Sequence, residues 1–171
     1  MPTLSEAPTR LAWQGGSAGL RYLRELDGHV RRCWPPATPP GYRRSVRYRD
    51  GGVWEESAGY SRAVRRGSRI EVSGTTADGP DGRALHPGDS YGQARAALAR
   101  ALAAVAALGG HVDDVVRTRC YLAPEADWRG AARAHAELLG HVAPANTTLH
   151  VARLIGDGLL VEVEVEAETG S

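Results

Sequence analysis

A run of three glutamates near the end of the chain is the feature of the sequence best suited to proton transfer. Glu162, Glu164 and Glu166 alternate with valines, so the two-residue period of a β-strand places all three carboxylates on one face. Glu162 also follows Leu160 and Val161, and apolar neighbours partly desolvate a carboxylate and raise its pKa, which suits general acid–base catalysis. The same pattern is typical of an ordinary strand with its polar side in water, which the sequence by itself favours.

Other residue types that do chemistry form no motif. The six histidines lack the paired spacing of a zinc site, and the two cysteines, Cys33 and Cys120, show no repeated spacing. His135 falls on the apolar side of a predicted helix and Cys120 within a predicted strand, so we expect core residues and not catalysts. The Gly15-Gly16 pair lacks the context of a phosphate-binding loop. We therefore expect no metal ion.

Length and charge bound the remaining possibilities. A chain of 171 residues that is 42% hydrophobic is long enough for one core plus an appendage and short for two domains. The formal net charge of +1 argues against a nucleic-acid-binding module, because phosphate neutralisation needs clustered positive charge. No stretch approaches the roughly 20 apolar residues of a membrane span, and no secretory signal is evident. We expect a cytoplasmic protein that binds neither nucleic acid nor membrane.

The pattern along the chain predicts an irregular first segment and three hairpins. Residues 1–40 are irregular apart from a helix-compatible stretch, Ala18–His29. Beyond them, glycine-containing turns separate pairs of short segments that alternate apolar and polar residues, which predicts hairpins. The predicted hairpins join Arg44–Arg49 to Val53–Glu56, Tyr60–Arg65 to Arg69–Ser73, and Thr147–Leu154 to Leu159–Ala167.

Two helices with apolar residues at helical spacing are predicted between the strands. The first begins at Asp89 or Ser90, which suit an N-cap, and it ends before Gly109-Gly110. The second spans Glu125–Gly140, and a strand, Val115–Leu122, lies between the two helices. The order β-β-β-β-α-β-α-β-β predicts an α+β fold with a mixed sheet and both helices packed on one face.

Several short motifs between Tyr60 and Ala167 resemble the Rid family, the RidA-type enamine and imine deaminases. In chain order the motifs are Tyr60, Gly67…Val72-Ser73-Gly74, His86-Pro-Gly-Asp-Ser-Tyr-Gly-Gln93, Gly109-Gly110…Asp113-Asp-Val115, Pro144-Ala145, Val151-Ala-Arg-Leu154 and Leu160-Val-Glu-Val-Glu164. The resemblance implies a chorismate-mutase-like α+β fold and a homotrimer with active sites in clefts between subunits. It also implies hydrolysis of small reactive imines and enamines to keto acids and ammonia without a cofactor. We accordingly assign residues 59–171 to a Rid-like domain and residues 1–58 to an N-terminal extension.

The resemblance also implies roles for individual residues. Tyr60 would line the cleft, Ser73 would contact the ligand, and Glu162 would position or activate the hydrolytic water; we expect these three to be the catalytic residues. The expected substrate-binding residues are Gly74, Asn146, Thr147, Thr148 and Glu164.

Position 146 departs from the family pattern. The resemblance implies an arginine two residues after Pro144, where a planar guanidinium would clamp the substrate carboxylate through paired, charge-assisted bonds. Asn146 stands there instead. An amide carries no positive charge, and the absence of each charge-assisted bond costs roughly 1.5–3 kcal/mol. Arg117 and Arg119 share one face of a strand, but nothing in the sequence brings them into the cleft.

The resulting hypothesis is a diverged Rid-family enzyme for an imine, enamine or carbonyl-activated intermediate without the usual small carboxylate. Its reaction would be a hydrolysis, dehydration, tautomerisation or cyclisation in a dedicated pathway, such as one of specialised metabolism. Two alternatives stay open. One is a non-catalytic, small-molecule-binding or regulatory trimer. The other is an ordinary 2-iminobutanoate/2-iminopropanoate deaminase in which an arginine from elsewhere, for example from the extension, replaces the missing one.

Overall fold

Six strands in the described part of the chain form one mixed sheet. The computed structural model describes residues 44–52 and 54–170, so the predicted helix Ala18–His29 lies outside the described residues. The strands are β1 Val46–Tyr48, β2 Ala63–Arg66, β3 Arg69–Thr76, β4 Val115–Leu122, β5 Ala145–His150 and β6 Val161–Glu168. Their order across the sheet is β1-β2-β3-β6-β4-β5, and every neighbouring pair is antiparallel except β4 and β5, which are parallel.

Two helices lie between the strands in sequence, as predicted. Helix α1, Ser90–Ala107, begins at the N-cap Asp89, whose carboxylate accepts a bond from the Gly92 amide at 3.0 Å. Helix α2, Trp128–Leu139, begins three residues later than predicted, because Asp127 is the N-cap and accepts hydrogen bonds from the Arg129 and Gly130 amides. A short 3₁₀ turn, Val112–Asp114, precedes β4.

The core lies between one face of the sheet and the two helices. The alternating valines of β6 are fully buried on this face, whereas Glu162, Glu164 and Glu166 lie on the opposite face and are half-buried. Ile70 and Val72 of β3 and Leu98 and Val105 of α1 complete the same apolar layer. The predicted α+β class, with a mixed sheet and helices on one face, is confirmed.

The first predicted hairpin has a different partner in the structure. The turn chemistry of Asp50-Gly51-Gly52 is present, and Gly51 takes a positive φ of 81°. However, β1 pairs antiparallel with β2, with Val46 opposite Arg65, while residues 54–59 lie in turns. A turn signal shows that the chain reverses locally, but it does not show which segment completes the hydrogen bonds of the strand.

The last predicted hairpin is also wrong. Gly156 and Gly158 take positive φ values of 119° and 73°, yet β5 ends at His150 and runs parallel to β4. Strand β6 instead enters the sheet between β3 and β4. The reason lies in burial: β6 has an apolar face to cover and two neighbours to pair with, whereas every residue of β5 is exposed, which suits an edge strand.

Candidate active site

A cavity of about 420 Å³ opens beside β3 and the start of β6. It gathers side chains from three regions far apart in the sequence: the turn after β1, the end of β3 with the loop beyond it, and the loop that leads into β6. Four residues expected from the sequence to serve the site lie together in its wall, namely Tyr60, Ser73, Gly74 and Glu162.

An irregularity in β3 shapes the wall of the cavity. The pairing of β3 with β6 shifts register between Val72 and Thr75, so Ser73 and Gly74 leave the ladder. The Ser73 amide bonds instead to the Arg62 carbonyl at 2.9 Å, and its hydroxyl donates to the Ser61 carbonyl at 2.9 Å. The irregularity therefore brings a hydroxyl group and a stretch of backbone against the cavity.

Gly74 allows the carboxylate of Glu162 to lie directly against the backbone of β3. A Cβ at position 74 would overlap Glu162 Oε1 and would lie 3.1 Å from its Cδ. Any larger residue would have to push the carboxylate away, so the glycine is needed for this close approach.

The environment of the Glu162 carboxyl group favours its protonated form. Burial raises its pKa, the negative charge of Glu164 raises it further, and the positive charge of Arg62 opposes both effects. Within residues 44–52 and 54–170, no group donates a hydrogen bond to this carboxylate. A carboxyl group with a raised pKa and no hydrogen-bond donors on its oxygens can take a proton from water or give one to a leaving group.

Arg62, which the sequence did not single out, is the arginine of the cavity wall. Its side chain is only 4% exposed, and its Nε atom lies 3.1 Å from Asp50 Oδ2. Its Nη1 donates to the Gly74 carbonyl at 2.7 Å and to Thr75 Oγ1 at 2.9 Å. Arg62 therefore stabilises the irregular part of β3 through hydrogen bonds to Gly74 and Thr75.

A second arginine extends this ion-pair network. Asp50 Oδ2 also accepts a bond from Arg100 Nε at 2.6 Å, and Arg100 Nη1 donates to Asp78 Oδ1 at 2.9 Å. Burial opposes ionisation of Asp50, but the bond from Arg100 and the charges of Arg62 and Arg100 outweigh it and hold its pKa below the ordinary value. Two arginines and two aspartates thus neutralise each other, so Arg62 already has a carboxylate partner.

Glu164 and Glu166 differ from Glu162 in having cationic partners. Arg119 Nη1 lies 3.3 Å from Glu164 and 2.7 Å from Glu166, and the Tyr121 hydroxyl donates to Glu164 at 3.2 Å. Arg119 is therefore engaged on the face of the sheet away from the helices. The expected substrate-binding residue Glu164 does not line the cavity, although its charge reaches Glu162.

Asn146, Thr147 and Thr148 lie on the edge strand β5 and do not line the cavity of their own chain. Asn146 Nδ2 donates to Thr118 Oγ1 at 3.0 Å, and its Oδ1 accepts from the Thr148 hydroxyl at 2.9 Å. Thr118 is fully buried and lies 2.8 Å from His135 Nε2 of α2, so this polar group is on the helix side of the sheet, opposite Glu162. Within a single chain, the expected site residues of β5 therefore do not meet those that line the cavity with Glu162.

Comparison with known proteins is consistent with this architecture. The family model described as endoribonuclease L-PSP, which is the YjgF/RidA family, matches residues 54–169. The chain belongs to this family.

Relatives of this family member match most of its length. An uncharacterised protein of Streptomyces coelicolor is 42% identical over 125 residues, which is 73% of this chain and 92% of that one. A Mycobacterium tuberculosis protein described as a member of the YjgF/YER057c/UK114 family has a crystal structure that superposes with a TM-score of 0.66 at 36% identity, covering 74% of this chain and 100% of that one. The Escherichia coli protein TdcF, solved with bound serine, superposes with a TM-score of 0.58 at 25% identity, covering 65% and 88% of the two chains.

Two further ionisable side chains of this family member, His135 and Cys120, are partly or fully buried. His135 is half-buried and hydrogen-bonded, burial lowers its pKa, and burial raises the pKa of the Cys120 thiol. In the part of the chain that the structure describes, no cluster of histidine, cysteine or carboxylate side chains could hold a metal ion. No helix there has the length and apolar character needed to cross a bilayer.

Sequence reasoning missed Arg62, Asp78, Trp54 and Ile155 in the wall of the cavity. Arg62 is one arginine among many in the sequence, and its ion pair with Asp50 exists only because β1 and β2 lie side by side. The sequence pattern places Trp54 in a strand that does not form. The weak signal that was available is the position of Arg62 two residues after Tyr60, which places both at the same end of a predicted strand.

Proposed function

We propose that this Rid-family protein is a cofactor-independent hydrolase of imines or enamines whose carbon skeleton lacks a small carboxylate. The observation that carries the proposal is the Glu162 carboxyl group, which is half-buried, has a raised pKa and lies in one cavity with Tyr60, Ser73 and Gly74. A general acid–base group with these properties is what imine hydrolysis needs.

The charges around the cavity support a substrate without a carboxylate. Arg62 is paired with Asp50, Arg100 is shared between Asp50 and Asp78, and Arg119 is held by Glu164 and Glu166. With asparagine at position 146, each of these arginines in the described chain already has acidic partners. A bound carboxylate would add a further negative charge beside Glu162 and Asp78, which is unfavourable at short range.

The proposed assembly is a homotrimer in which β5 of one copy faces the cavity of the next. Two features favour it: within one chain Asn146 and Thr148 lie on the opposite face of the sheet from Glu162, and all of β5 is exposed. In the assembled cleft the Asn146 amide, held by Thr118, Cys120 and Thr148, would stand where the family pattern has an arginine and would offer the substrate no positive charge. The proposed place of action is the cytoplasm, in a dedicated pathway that forms such intermediates.

The proposed reaction balances with water alone. Glu162 accepts a proton from water as the water oxygen forms a bond to the imine carbon, and the C=N electron pair moves to nitrogen, which takes up a proton from solvent. In the resulting carbinolamine the C–N bond breaks and ammonia leaves with the proton held by Glu162. The hydroxyl proton of the carbinolamine returns to solvent as the new C=O bond forms. Ser73 and Tyr60 would hold the substrate during these transfers.

The test compares neutral and carboxylate-bearing imines formed in the assay. An amine oxidase supplies the neutral imine and an amino-acid oxidase supplies 2-iminopropanoate, and hydrolysis is followed as competition with trapping by semicarbazide. We expect the natural protein to accelerate hydrolysis of the neutral imine, and Glu162→Gln to reduce that rate at least about a hundredfold. Glu164→Gln is the matched control and should keep most of the activity.

The other results lead to different conclusions. Equal activity on 2-iminopropanoate would make the protein an ordinary deaminase, and Asn146→Arg would then add nothing. Unchanged turnover in Glu162→Gln would remove this residue from the mechanism. Absence of turnover on both imines, with binding of their ketone products retained, would favour a non-catalytic binding protein.

A further inference from the structure

The residues that line the cavity fall into two chemical groups. One group is polar and includes Ser73, Thr76, Asp78 and Glu162; the acid–base chemistry proposed above uses this group. The second group is apolar and has no part in that chemistry. It consists of Trp54, Ala58, Ile155 and Leu159.

Two large members of the apolar group are turned towards solvent. Ile155 is 81% exposed and Trp54 is 56% exposed, and they come from opposite ends of the described chain. Exposed apolar side chains that occur singly need no explanation, but two that converge on one cavity indicate a surface for an apolar ligand.

The turn that carries Trp54 is anchored in the structure. The buried Glu55 accepts bonds from the Gly51 amide at 3.0 Å and from the Arg62 amide at 2.7 Å, and the Ala58 amide bonds to the Trp54 carbonyl at 2.9 Å. A buried carboxylate satisfied by backbone amides fixes the path of the turn. These hydrogen bonds therefore fix the backbone that carries the Trp54 side chain.

The loop that carries Ile155 is shaped by Gly156. This glycine has a φ of 119°, and a Cβ there would lie 2.7 Å from Leu159 Cδ1. Leu159 is 7% exposed and forms the base of the apolar group. The loop thus passes close over Leu159 while Ile155 projects from the neighbouring position.

The size of the cavity agrees with a ligand larger than a three-carbon imino acid. Its volume of about 420 Å³ falls within the range of roughly 300–1,000 Å³ in which proteins bind drug-sized molecules. A small, charged substrate would leave the apolar group in contact with water, whereas an aromatic ring would cover it.

We propose that the ligand of this cavity carries an aromatic group that binds against Trp54 and Ile155, next to an uncharged imine, enamine or carbonyl carbon at Glu162. The identity of the reacting group rests on the proposed function, but the aromatic subsite rests on the apolar residues alone. The subsite makes Trp54 and Ile155 determinants of specificity.

The experiment measures binding of acetophenone, the ketone that an aryl ketimine releases, to the full chain by isothermal titration. Acetone tests the need for the ring, and benzoylformate tests the exclusion of a carboxylate. We expect Trp54→Ala to raise the Kd for acetophenone about tenfold and Ile155→Ala to raise it about threefold, because each truncation leaves part of the ring exposed to water. Trp128→Ala removes a tryptophan of similar exposure, 50%, that does not line the cavity, and it should leave the Kd unchanged.

Several results would overturn the subsite. An unchanged Kd in Trp54→Ala would do so, as would equal binding of acetone and acetophenone. A change in assembly mass for Trp54→Ala, measured by light scattering, would show that another copy of the chain covers Trp54.

Failure of the subsite and failure of the proposed function are distinguishable. Binding of acetophenone that depends on Trp54, without turnover of its ketimine, would retain the subsite and reject the hydrolase. Turnover of small neutral imines that is insensitive to Trp54→Ala would retain the hydrolase and reject the subsite. Glu162→Gln should lose turnover and keep the binding of acetophenone.

Discussion

Replacing Gly74 by alanine tests whether the position of the Glu162 carboxylate matters for turnover. The new Cβ would overlap Oε1 and would lie 3.1 Å from Cδ and 3.6 Å from Cγ, so only the end of the side chain has to move. Because Glu162 borders an open cavity, the carboxylate can swing away from β3. A displacement of about 1 Å at a catalytic group costs on the order of a hundredfold in rate.

The same substitution should have little effect on folding. Gly74 has no positive φ, so alanine is compatible with the backbone, and restricting the unfolded chain gains about 0.4–1 kcal/mol. A Glu162 side chain forced away from its preferred rotamer costs about 0.5–1.5 kcal/mol. The two contributions nearly cancel, so we expect the free energy of unfolding to change by less than about 1 kcal/mol while turnover of the neutral imine falls about a hundredfold.

The assay pairs urea denaturation with the semicarbazide competition assay. Gly170→Ala is the matched control and should change neither quantity, because an added Cβ there would meet nothing within 4 Å. In a double-mutant cycle with Glu162→Gln, the effect of Gly74→Ala on turnover should largely disappear. Full turnover in Gly74→Ala, or additive effects in the double variant, would refute the link between this glycine and the carboxylate.

Two further predictions concern stability. Asp50→Asn removes the carboxylate shared by Arg62 and Arg100 and should lower the free energy of unfolding, measured by urea denaturation, by about 3 kcal/mol. The control Asp81→Asn affects an exposed pair with Arg83 and should leave the free energy of unfolding almost unchanged. Equal effects of the two substitutions would contradict a stabilising role of the ion-pair network. Because the folded pKa of Glu162 is raised above 4.5, its favourable contribution is present at lower pH and is lost as pH rises through the folded pKa. Glu162→Gln should therefore gain Tm relative to the natural protein as the pH rises from about 4.5 to about 8, and a constant difference across that range would contradict the raised pKa.

Much of the fold could be predicted from local pattern. The hairpin around Gly67-Ser68 forms as expected, with Arg66 opposite Arg69, because a glycine with positive φ and two alternating segments leave few other arrangements. Both helices also begin at acidic N-caps close to the predicted positions. Predictions that needed only neighbours in sequence were therefore reliable, whereas both incorrect hairpins required a choice of partner strand.

The candidate site also combines features that local sequence pattern predicts with features that depend on tertiary contacts. The sequence by itself determined that Glu162 lies on the polar face of a strand among valines, because alternation fixes which face each side chain occupies. Only the tertiary structure decided that this carboxylate lies against Gly74 and that Arg62 is paired with Asp50. It also decided that Trp54 and Ile155 border the same cavity. The contact of Glu162 with Gly74 and the approach of Ile155 to Trp54 arise when β6 enters the sheet between β3 and β4, and the Arg62–Asp50 pair arises when β1 pairs with β2. Local pattern carries no information about which strands become neighbours.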